Sequence, residues 1–130
     1  MIRGCLLRSS LTSAFRGLVL IYREEQNFRI HSLCAILVLL FAVVLHIPIA
    51  HILVLILTTA LVLIVEIINT ALERFLDVIK PRMSPYVGQI KDIMAGLVLL
   101  SAWCAALVGI LVFSLPLWSL FKYAIALVPF

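Results

Sequence analysis

The sequence predicts an all-α membrane protein. Two observations lead to this prediction, the amino-acid composition and the distribution of charged residues along the chain. Of the 130 residues, 65% are hydrophobic and 12% are charged, whereas soluble domains average about 45–50% apolar and about 25% charged residues. No Lys, Arg, Asp or Glu lies between His31 and Glu66, and after Asp92 there is only Lys122. One small core cannot hide two such stretches from water. Soluble enzymes, nucleic-acid-binding modules and secreted disulfide scaffolds are therefore excluded.

Residues 1–31 are predicted to form a cytoplasmic amphipathic helix at the membrane surface. Apolar side chains recur there at three- and four-residue steps, which gives a helix one apolar face. Arg8 and Arg16 interrupt the apolar stretch that a signal peptide needs, and no small-residue cleavage site follows. The apolar face comprises Leu7, Leu11, Phe15, Leu18 and Tyr22.

Three stretches have the length and composition of transmembrane helices, which need about 20 mostly apolar residues. Pro48 marks a tight turn between the first two, because proline removes a backbone donor and resists helix continuation. Residues 74–91 are expected to form a polar loop before the third span. Residues 114–130 form an apolar tail, too short for a fourth span, whose role stays open. The three predicted spans are residues 32–49, 52–71 and 93–113.

Lysine and arginine residues predict the orientation, because cytoplasmic ends of membrane helices carry an excess of them. Residues 1–31 hold five arginines and the loop 74–91 holds four basic residues, whereas the turn at residues 46–51 holds none. The N-terminus and the loop are therefore expected in the cytoplasm. The net charge of +4 suits anionic lipid headgroups and gives no reason to expect a nucleic-acid partner.

Burial in a membrane does not explain a row of polar residues at the end of the second apolar run. Its spacing of three and four residues places the row on one face of a helix. An acidic residue inside a span costs about 2.5–3.5 kcal/mol on insertion scales and is a functional hypothesis by default. The row is interpreted as a divalent-metal and acid–base site, although a solvated helix end with Arg74 as neutralising partner explains Asp77 equally well. Its members are Glu66, Asn69, Glu73 and Asp77.

Two other charged clusters are expected at the same membrane boundary. Glu24 and Glu25 precede the first span, and Lys91 with Asp92 begins the third. Carboxylates suit Mg²⁺, which commonly binds through one or two of them together with substrate phosphates. A lysine can neutralise a phosphate, so the clusters together supply the parts of phosphoryl transfer. The chain has no Walker A loop and no protein-kinase motif, so an ATP site would be built from membrane helices.

The chain resembles the small prokaryotic integral-membrane lipid kinases, namely the diacylglycerol kinases and undecaprenol kinases. The resemblance covers about residues 10–113, and its specific core is the Glu-x-x-Asn-x-Ala-x-Glu pattern that starts at Glu66. The spacing from Asp77 to Asp92 matches as well. The similar segments are residues 14–17, 25–31, 66–73, 91–92 and 95–96.

The resemblance implies transfer of the γ-phosphoryl group of ATP to a lipid primary hydroxyl. Glu66 matches the family's general base, and Asn69 matches the polar residue that helps to orient the site. Lys91 matches the lysine that contacts the phosphates, and Asp92 is its neighbour at the nucleotide site.

The resemblance also implies Mg²⁺ as cofactor and a homotrimer of three-span subunits with active sites shared between neighbouring chains. Glu25 and Glu73 match the carboxylates that hold the divalent ions on the ATP phosphates, and Arg29 and Asp77 are candidate supporting residues. Independently of the resemblance, three helices are too few to bury the Glu66 face. A stripe of small residues on the third span suits close helix packing, between subunits or within one. This stripe is formed by Ser101, Ala105 and Gly109.

Two positions depart from the family pattern. Ser13 stands where many relatives carry a tyrosine, and Arg82-Met83-Ser84 stands where they often show Glu-Tyr-His, in a loop expected to contact nucleotide. The segments 27–31 and 69–71 look slightly more like undecaprenol kinases than diacylglycerol kinases, which leaves the lipid and the preferred nucleotide open.

Two other functions have to be weighed against a lipid kinase. A small proton-coupled transporter could also use Glu66, but such sites are expected near the membrane midplane, whereas these acids crowd the cytoplasmic boundary. A catalytically dead relative is disfavoured because the full set of matching polar residues is present.

Overall fold

The computed structural model describes residues 2–79 and 85–126, and within these ranges it consists of helices without strands. The helices are α1 (Ile2–Glu24), α2 (Gln26–Val44), α3 (Ile49–Ile79) and α4 (Pro85–Ala126). Of these, α2, α3 and α4 are long and apolar enough to cross a membrane. The prediction of an all-α, multi-pass membrane protein with three spans is therefore confirmed. The surface position of α1 stays a prediction.

A single extended residue, Glu25, separates α1 from α2, with φ −100° and ψ 114°. The guanidinium of Arg29 crosses this break and donates a hydrogen bond from Nη1 to the carbonyl oxygen of Arg23, at 3.1 Å. The helix that contains most of the first predicted span therefore starts at Gln26, before the predicted start of the span at residue 32. Hydropathy locates the apolar part of a helix, whereas backbone hydrogen bonds continue the helix through the polar residues before it.

The turn between α2 and α3 is a Schellman motif. The amide of His46 donates to the carbonyl of Val43, and the amide of Ile47 donates to that of Ala42, both at 3.0 Å. These are the 5→2 and 6→1 bonds that satisfy the last carbonyls of a helix. His46 takes the left-handed position of this motif, with φ 53°, and α3 then begins at Ile49 directly after Pro48.

Replacing His46 with glycine is expected to raise the free energy of unfolding by up to about 1 kcal/mol. The left-handed conformation costs a residue with a Cβ about 1–2 kcal/mol, and glycine avoids this cost. Part of the gain is offset because glycine loses more conformational entropy on folding. His51→Gly is the matched control. His51 lies in the first turn of α3, where glycine should lower the free energy of unfolding. Unfolding by SDS in mixed micelles measures both variants. A loss of stability in His46→Gly would contradict this explanation of the turn.

The two long helices extend well beyond the membrane core. With a rise of 1.5 Å per residue, the 31 residues of α3 and the 42 residues of α4 span about 46 and 63 Å, against about 30 Å of hydrocarbon. The predicted loop 74–91 thus contributes residues 74–79 to α3 and 85–91 to α4. Pro85 begins α4, where a missing backbone N–H costs nothing. Residues 80–84, with the departures at 82–84, lie outside the described residues.

The predicted tail at residues 114–130 also differs from the structure as far as it is described. Residues 114–126 continue α4 without a break, and Pro116 lies inside the helix. Membrane helices tolerate such a proline, because neighbouring groups satisfy the freed carbonyl. The role of this extension stays open.

The core of the helix bundle lies at the end that carries the Schellman turn. Ala42, Ile47 and Leu55 are buried together there, and the rings of Phe41 and Phe113 join α2 to α4 with centroids 5.2 Å apart. The polar row of α3 lies at the opposite end of the bundle. The apolar core therefore occupies the end of the bundle with the Schellman turn, and the polar row of α3 occupies the other end.

Candidate functional site

The candidate site is centred on a carboxylate that is almost completely buried in α3. Glu66 is 2% exposed, and its polar neighbour Asn69 is 8% exposed. The expectation that three helices are too few to bury this carboxylate is therefore wrong. Glu73 follows half-buried one turn later, and Asn69 Nδ2 donates a hydrogen bond to its Oε1 at 3.2 Å. The row becomes accessible towards Asp77, whose side chain is 63% exposed. The helix thus carries its polar face from the buried interior to the surface.

Two buried acceptors in this row lack a donor among the residues that the structure describes. They are Oε2 of Glu66 and Oδ1 of Asn69. Buried polar atoms in folded proteins nearly always have hydrogen-bond partners, and an unmade bond costs about 1–3 kcal/mol. Both atoms are thus available to a ligand that donates a hydrogen bond.

Two further carboxylates lie close to the Glu66 face. Glu73 follows on the same face of α3, and Glu25 lies at the start of α2, which an ion pair joins to Arg74 of α3. Three of the carboxylates singled out in the sequence are thus gathered in one region of the structure. Because like charges repel, this arrangement favours binding of a cation or a donor group between them.

The guanidinium of Arg74 holds the start of α2 against α3. Its Nη2 lies 2.7 Å from Oε2 of Glu24 and 3.1 Å from Oε1 of Glu25. Glu25 also occupies the N-cap of α2, but its side chain makes no capping bond because it is turned towards Arg74. One of the two interpretations of Asp77 made Arg74 its neutralising partner, but the structure pairs Arg74 with these two glutamates.

Lys91 pairs with Asp77 at the accessible end of the row. Nζ of Lys91 lies 2.6 Å from Oδ1 of Asp77, which fixes the start of α4 beside the end of α3. Asp77 is eleven residues, or about 16 Å of helix, away from Glu66. Asp92 is exposed, and its carboxylate makes no ion pair within residues 2–79 and 85–126. One subunit therefore does not bring Lys91 and Asp92 to Glu66.

An apolar cavity of about 420 Å³ lies between α2, α3 and α4. On α4 its wall is formed by small residues, including Ala105 and Gly109, and a Cβ added at Gly109 would meet no atom within 4 Å. The small-residue stripe thus faces the interior of the subunit and leaves space there. On α3 the lining ends at Val62, one helical turn before Glu66.

The oxygen donors of the site suit a hard divalent cation. No group of three His, Cys, Asp or Glu side chains forms a ready-made metal cage in the described parts of the chain. Mg²⁺ does not need one, because it usually keeps several waters and binds through one or two carboxylates plus substrate phosphates. The carboxylates that such a cation could use are those of Glu73, half-buried on the row, and Glu25, whose Oε1 is paired with Arg74.

Comparison with known proteins shows which family this chain is similar to. The family model described as prokaryotic diacylglycerol kinase matches residues 12–113, which include all four polar residues of the α3 row. The chain belongs to the prokaryotic diacylglycerol kinase family. The predicted resemblance is thereby confirmed, and this family member is a multi-pass membrane protein.

A relative in Synechocystis sp. named diacylglycerol kinase is 38% identical over 112 residues. The alignment covers 85% of this chain but 64% of that relative's own length. The chain therefore spans less than two thirds of the length of this relative.

Sequence reasoning missed two features of this site. The double ion pair of Arg74 depends on the break at Glu25, which no hydropathy pattern reveals. The ion pair between Lys91 and Asp77 joins residues 14 positions apart on two helices, and no local pattern indicates it.

Proposed function

We propose that this chain is a membrane lipid kinase that transfers the γ-phosphoryl group of ATP to the primary hydroxyl of a lipid alcohol, diacylglycerol or undecaprenol. The carrying observation is the buried Glu66 carboxylate, whose Oε2 accepts no hydrogen bond from any described residue. Such an oxygen can accept the proton of a substrate hydroxyl. Membership of the diacylglycerol kinase family supports the same reaction.

In the proposed reaction, Glu66 acts as the general base. Its Oε2 takes the proton of the lipid hydroxyl while the hydroxyl oxygen attacks the γ-phosphorus. The bond between the γ-phosphorus and the β–γ bridging oxygen breaks, which releases ADP. A base must lie within hydrogen-bond reach of the proton it removes. Asn69 supports the geometry, since its Nδ2 is engaged by Glu73 and its Oδ1 stays open for a donor.

The nucleotide is proposed to bind along the accessible part of the row. Glu25 and Glu73 would hold Mg²⁺ on the phosphates, where the cation neutralises negative charge. Lys91 would contact the phosphates, with Asp92 beside it and Asp77 and Arg29 in support. Phosphoryl transfer depends mostly on such positioning and charge neutralisation.

Replacing Lys91 with methionine is expected to raise the KM for MgATP at least about tenfold, because one cationic contact to a phosphate is lost. The free energy of unfolding should change by less than about 1 kcal/mol, since an exposed ion pair such as Lys91–Asp77 contributes little. Lys122→Met, at the other end of α4, is the matched control and should keep the wild-type KM. An unchanged KM in Lys91→Met would contradict this nucleotide contact.

The proposed enzyme works as a homotrimer with shared active sites in the bacterial cytoplasmic membrane. Two observations support a shared site. Asp92 is exposed, and Lys91 is paired about three helical turns from Glu66, so a neighbouring chain would be needed to bring a lysine beside the base.

Light scattering of the detergent complex, corrected for bound detergent, measures the number of chains in each complex. The N-terminus and the site would face the cytoplasm, where ATP is available.

The lipid substrate is tested by a mixed-micelle assay with purified protein, MgATP and either diacylglycerol or undecaprenol. A kcat/KM for one lipid well above that for the other would assign the substrate. A transporter would instead move protons across proteoliposomes without ATP, and its acid would be needed near midplane. A proton flux that depends on Glu66, with no lipid phosphate formed, would overturn the kinase proposal.

A further inference from the structure

We infer that Arg74 is a positioning residue for the proposed Mg²⁺ site, and that it holds the carboxylate of Glu25 against α3, beside Glu73. The inference rests on the proposed kinase function, in which Glu25 and Glu73 are the metal ligands. It gives a role to a side chain that lies outside the catalytic, metal and nucleotide sets given above.

Glu25 occupies a place in the chain where no helix fixes the direction of its side chain. It is the single extended residue between α1 and α2. A polar side chain at a helix N-cap usually accepts a hydrogen bond from an amide of the first turn, but Glu25 makes no such bond. The direction of its carboxylate therefore depends on a contact from elsewhere in the fold.

Arg74 provides this contact. Its Nη2 donates one hydrogen bond to Oε1 of Glu25 at 3.1 Å and another to Oε2 of Glu24 at 2.7 Å. Hydrogen bonds between a guanidinium and a carboxylate are strong because both partners are charged. Arg74 directly follows Glu73 on α3, so the bond holds one proposed metal ligand close to the other.

The same geometry leaves Glu25 able to bind a metal ion. The ion pair uses Oε1, and a carboxylate has a second oxygen that can accept another partner. The charge of Arg74 is already balanced by two glutamates, which suits it to hold a ligand more than to bind a phosphate. Groups that orient a metal ligand in this way are part of a metal site, although they do not touch the ion.

The first test measures metal binding without turnover. Mn²⁺ replaces Mg²⁺, because both ions suit oxygen ligands, and AMP-PNP replaces ATP as a non-hydrolysable analogue. The water proton relaxation rate reports binding of the Mn²⁺–AMP-PNP complex to the protein. Arg74→Met is expected to raise the Kd for this complex about tenfold or more, since loss of an outer-shell partner typically costs about 10–100-fold in metal affinity.

Arg23→Met is the matched control for the loss of a positive charge. Arg23 is exposed and directly precedes Glu24, and its guanidinium forms no ion pair within residues 2–79 and 85–126. This variant should keep the wild-type Kd. A wild-type Kd in Arg74→Met as well would overturn the inference.

The second test asks whether Arg74 acts through Glu25. Glu25→Gln is expected to raise the Kd because a ligand is lost, and adding Arg74→Met to it should not raise the Kd further. Residues that act as a pair show such non-additive effects. An equal effect of Arg74→Met in both backgrounds would mean that Arg74 acts on the nucleotide directly, and the inference would be wrong.

A conservative variant separates positioning from packing. Arg74→Lys keeps a cation that can pair with Glu25, so it should keep most of the wild-type affinity and most of the wild-type rate. Equal losses in Arg74→Lys and Arg74→Met would rule out a role for this charge in holding the ligand.

The assays distinguish this inference from the proposed function. A wild-type protein that binds the Mn²⁺ complex but phosphorylates neither lipid contradicts the kinase proposal. A wild-type protein that transfers phosphate, with an Arg74→Met variant that binds the complex equally well, contradicts only the role of Arg74. A wild-type protein that transfers phosphate without binding the complex would remove both the metal site and this inference.

Discussion

Replacing Glu66 with glutamine is expected to lower kcat by about 10²–10⁴-fold, because the amide keeps the shape of the side chain but cannot accept the proton of the lipid hydroxyl. The KM values for MgATP and lipid should stay close to those of the wild type, since the lost interaction belongs to the transition state. The measurement is the steady-state rate in mixed micelles at saturating MgATP.

The same variant should fold at least as well as the wild type. Glu66 is 2% exposed, and a buried carboxylate has a desolvation cost that an uncharged amide avoids. Glu24→Gln is the matched control, because the same chemical change at a half-exposed side chain should leave both rate and stability near wild type. An active Glu66→Gln variant would contradict the assignment of the base.

Replacing Glu73 with glutamine is expected to reduce kcat/KM for MgATP by at least about 100-fold, because loss of a ligand should exceed the 10–100-fold effect of losing an outer-shell partner. The Mg²⁺ concentration for half-maximal rate should rise, since one of two proposed carboxylate ligands is gone. The hydrogen bond from Asn69 to Oε1 of Glu73 can form equally well with an amide oxygen, so stability should be retained.

The two variants differ in a way that separates their roles. Glu66→Gln should keep the wild-type Mg²⁺ requirement, whereas Glu73→Gln should not. A Mg²⁺ titration of both variants, with Glu24→Gln as the control, makes this comparison. The same Mg²⁺ dependence in Glu73→Gln and wild type would remove Glu73 from the proposed metal site.

The sequence was sufficient for the spanning helices and for the polar row. Uncharged apolar runs leave a chain of this size few alternatives to membrane helices, and the three- and four-residue spacing from Glu66 to Asp77 fixes a common face without any tertiary information. The family resemblance rested on the same residues, and the match over residues 12–113 confirmed it.

The ends of the helices and the pairing of charged side chains could not be predicted from the sequence. The predicted start near residue 32 and the predicted loop 74–91 followed hydropathy, while the helices continue through polar residues because their backbone bonds persist there. Arg74 pairs with Glu24 and Glu25 because the chain breaks at Glu25, and Asp77 is left to Lys91. Such pairings depend on the approach of two helices, which local patterns do not contain.

The small-residue stripe shows the same limit at the level of packing. Its spacing predicted close helix contacts, between subunits or within one. In the structure, Ala105 and Gly109 face inwards and line a cavity of about 420 Å³. A stripe of small residues permits two helices to pack closely, but whether they do so depends on the side chains of the facing helices.

The most direct test of the account is phosphoryl transfer by the purified wild-type protein with labelled ATP, Mg²⁺ and a lipid alcohol in mixed micelles. The γ-phosphoryl label should appear in lipid phosphate, in a Mg²⁺-dependent reaction, with no other protein present. Folded and oligomeric protein that labels neither diacylglycerol nor undecaprenol would contradict the proposal that this buried carboxylate serves a lipid kinase.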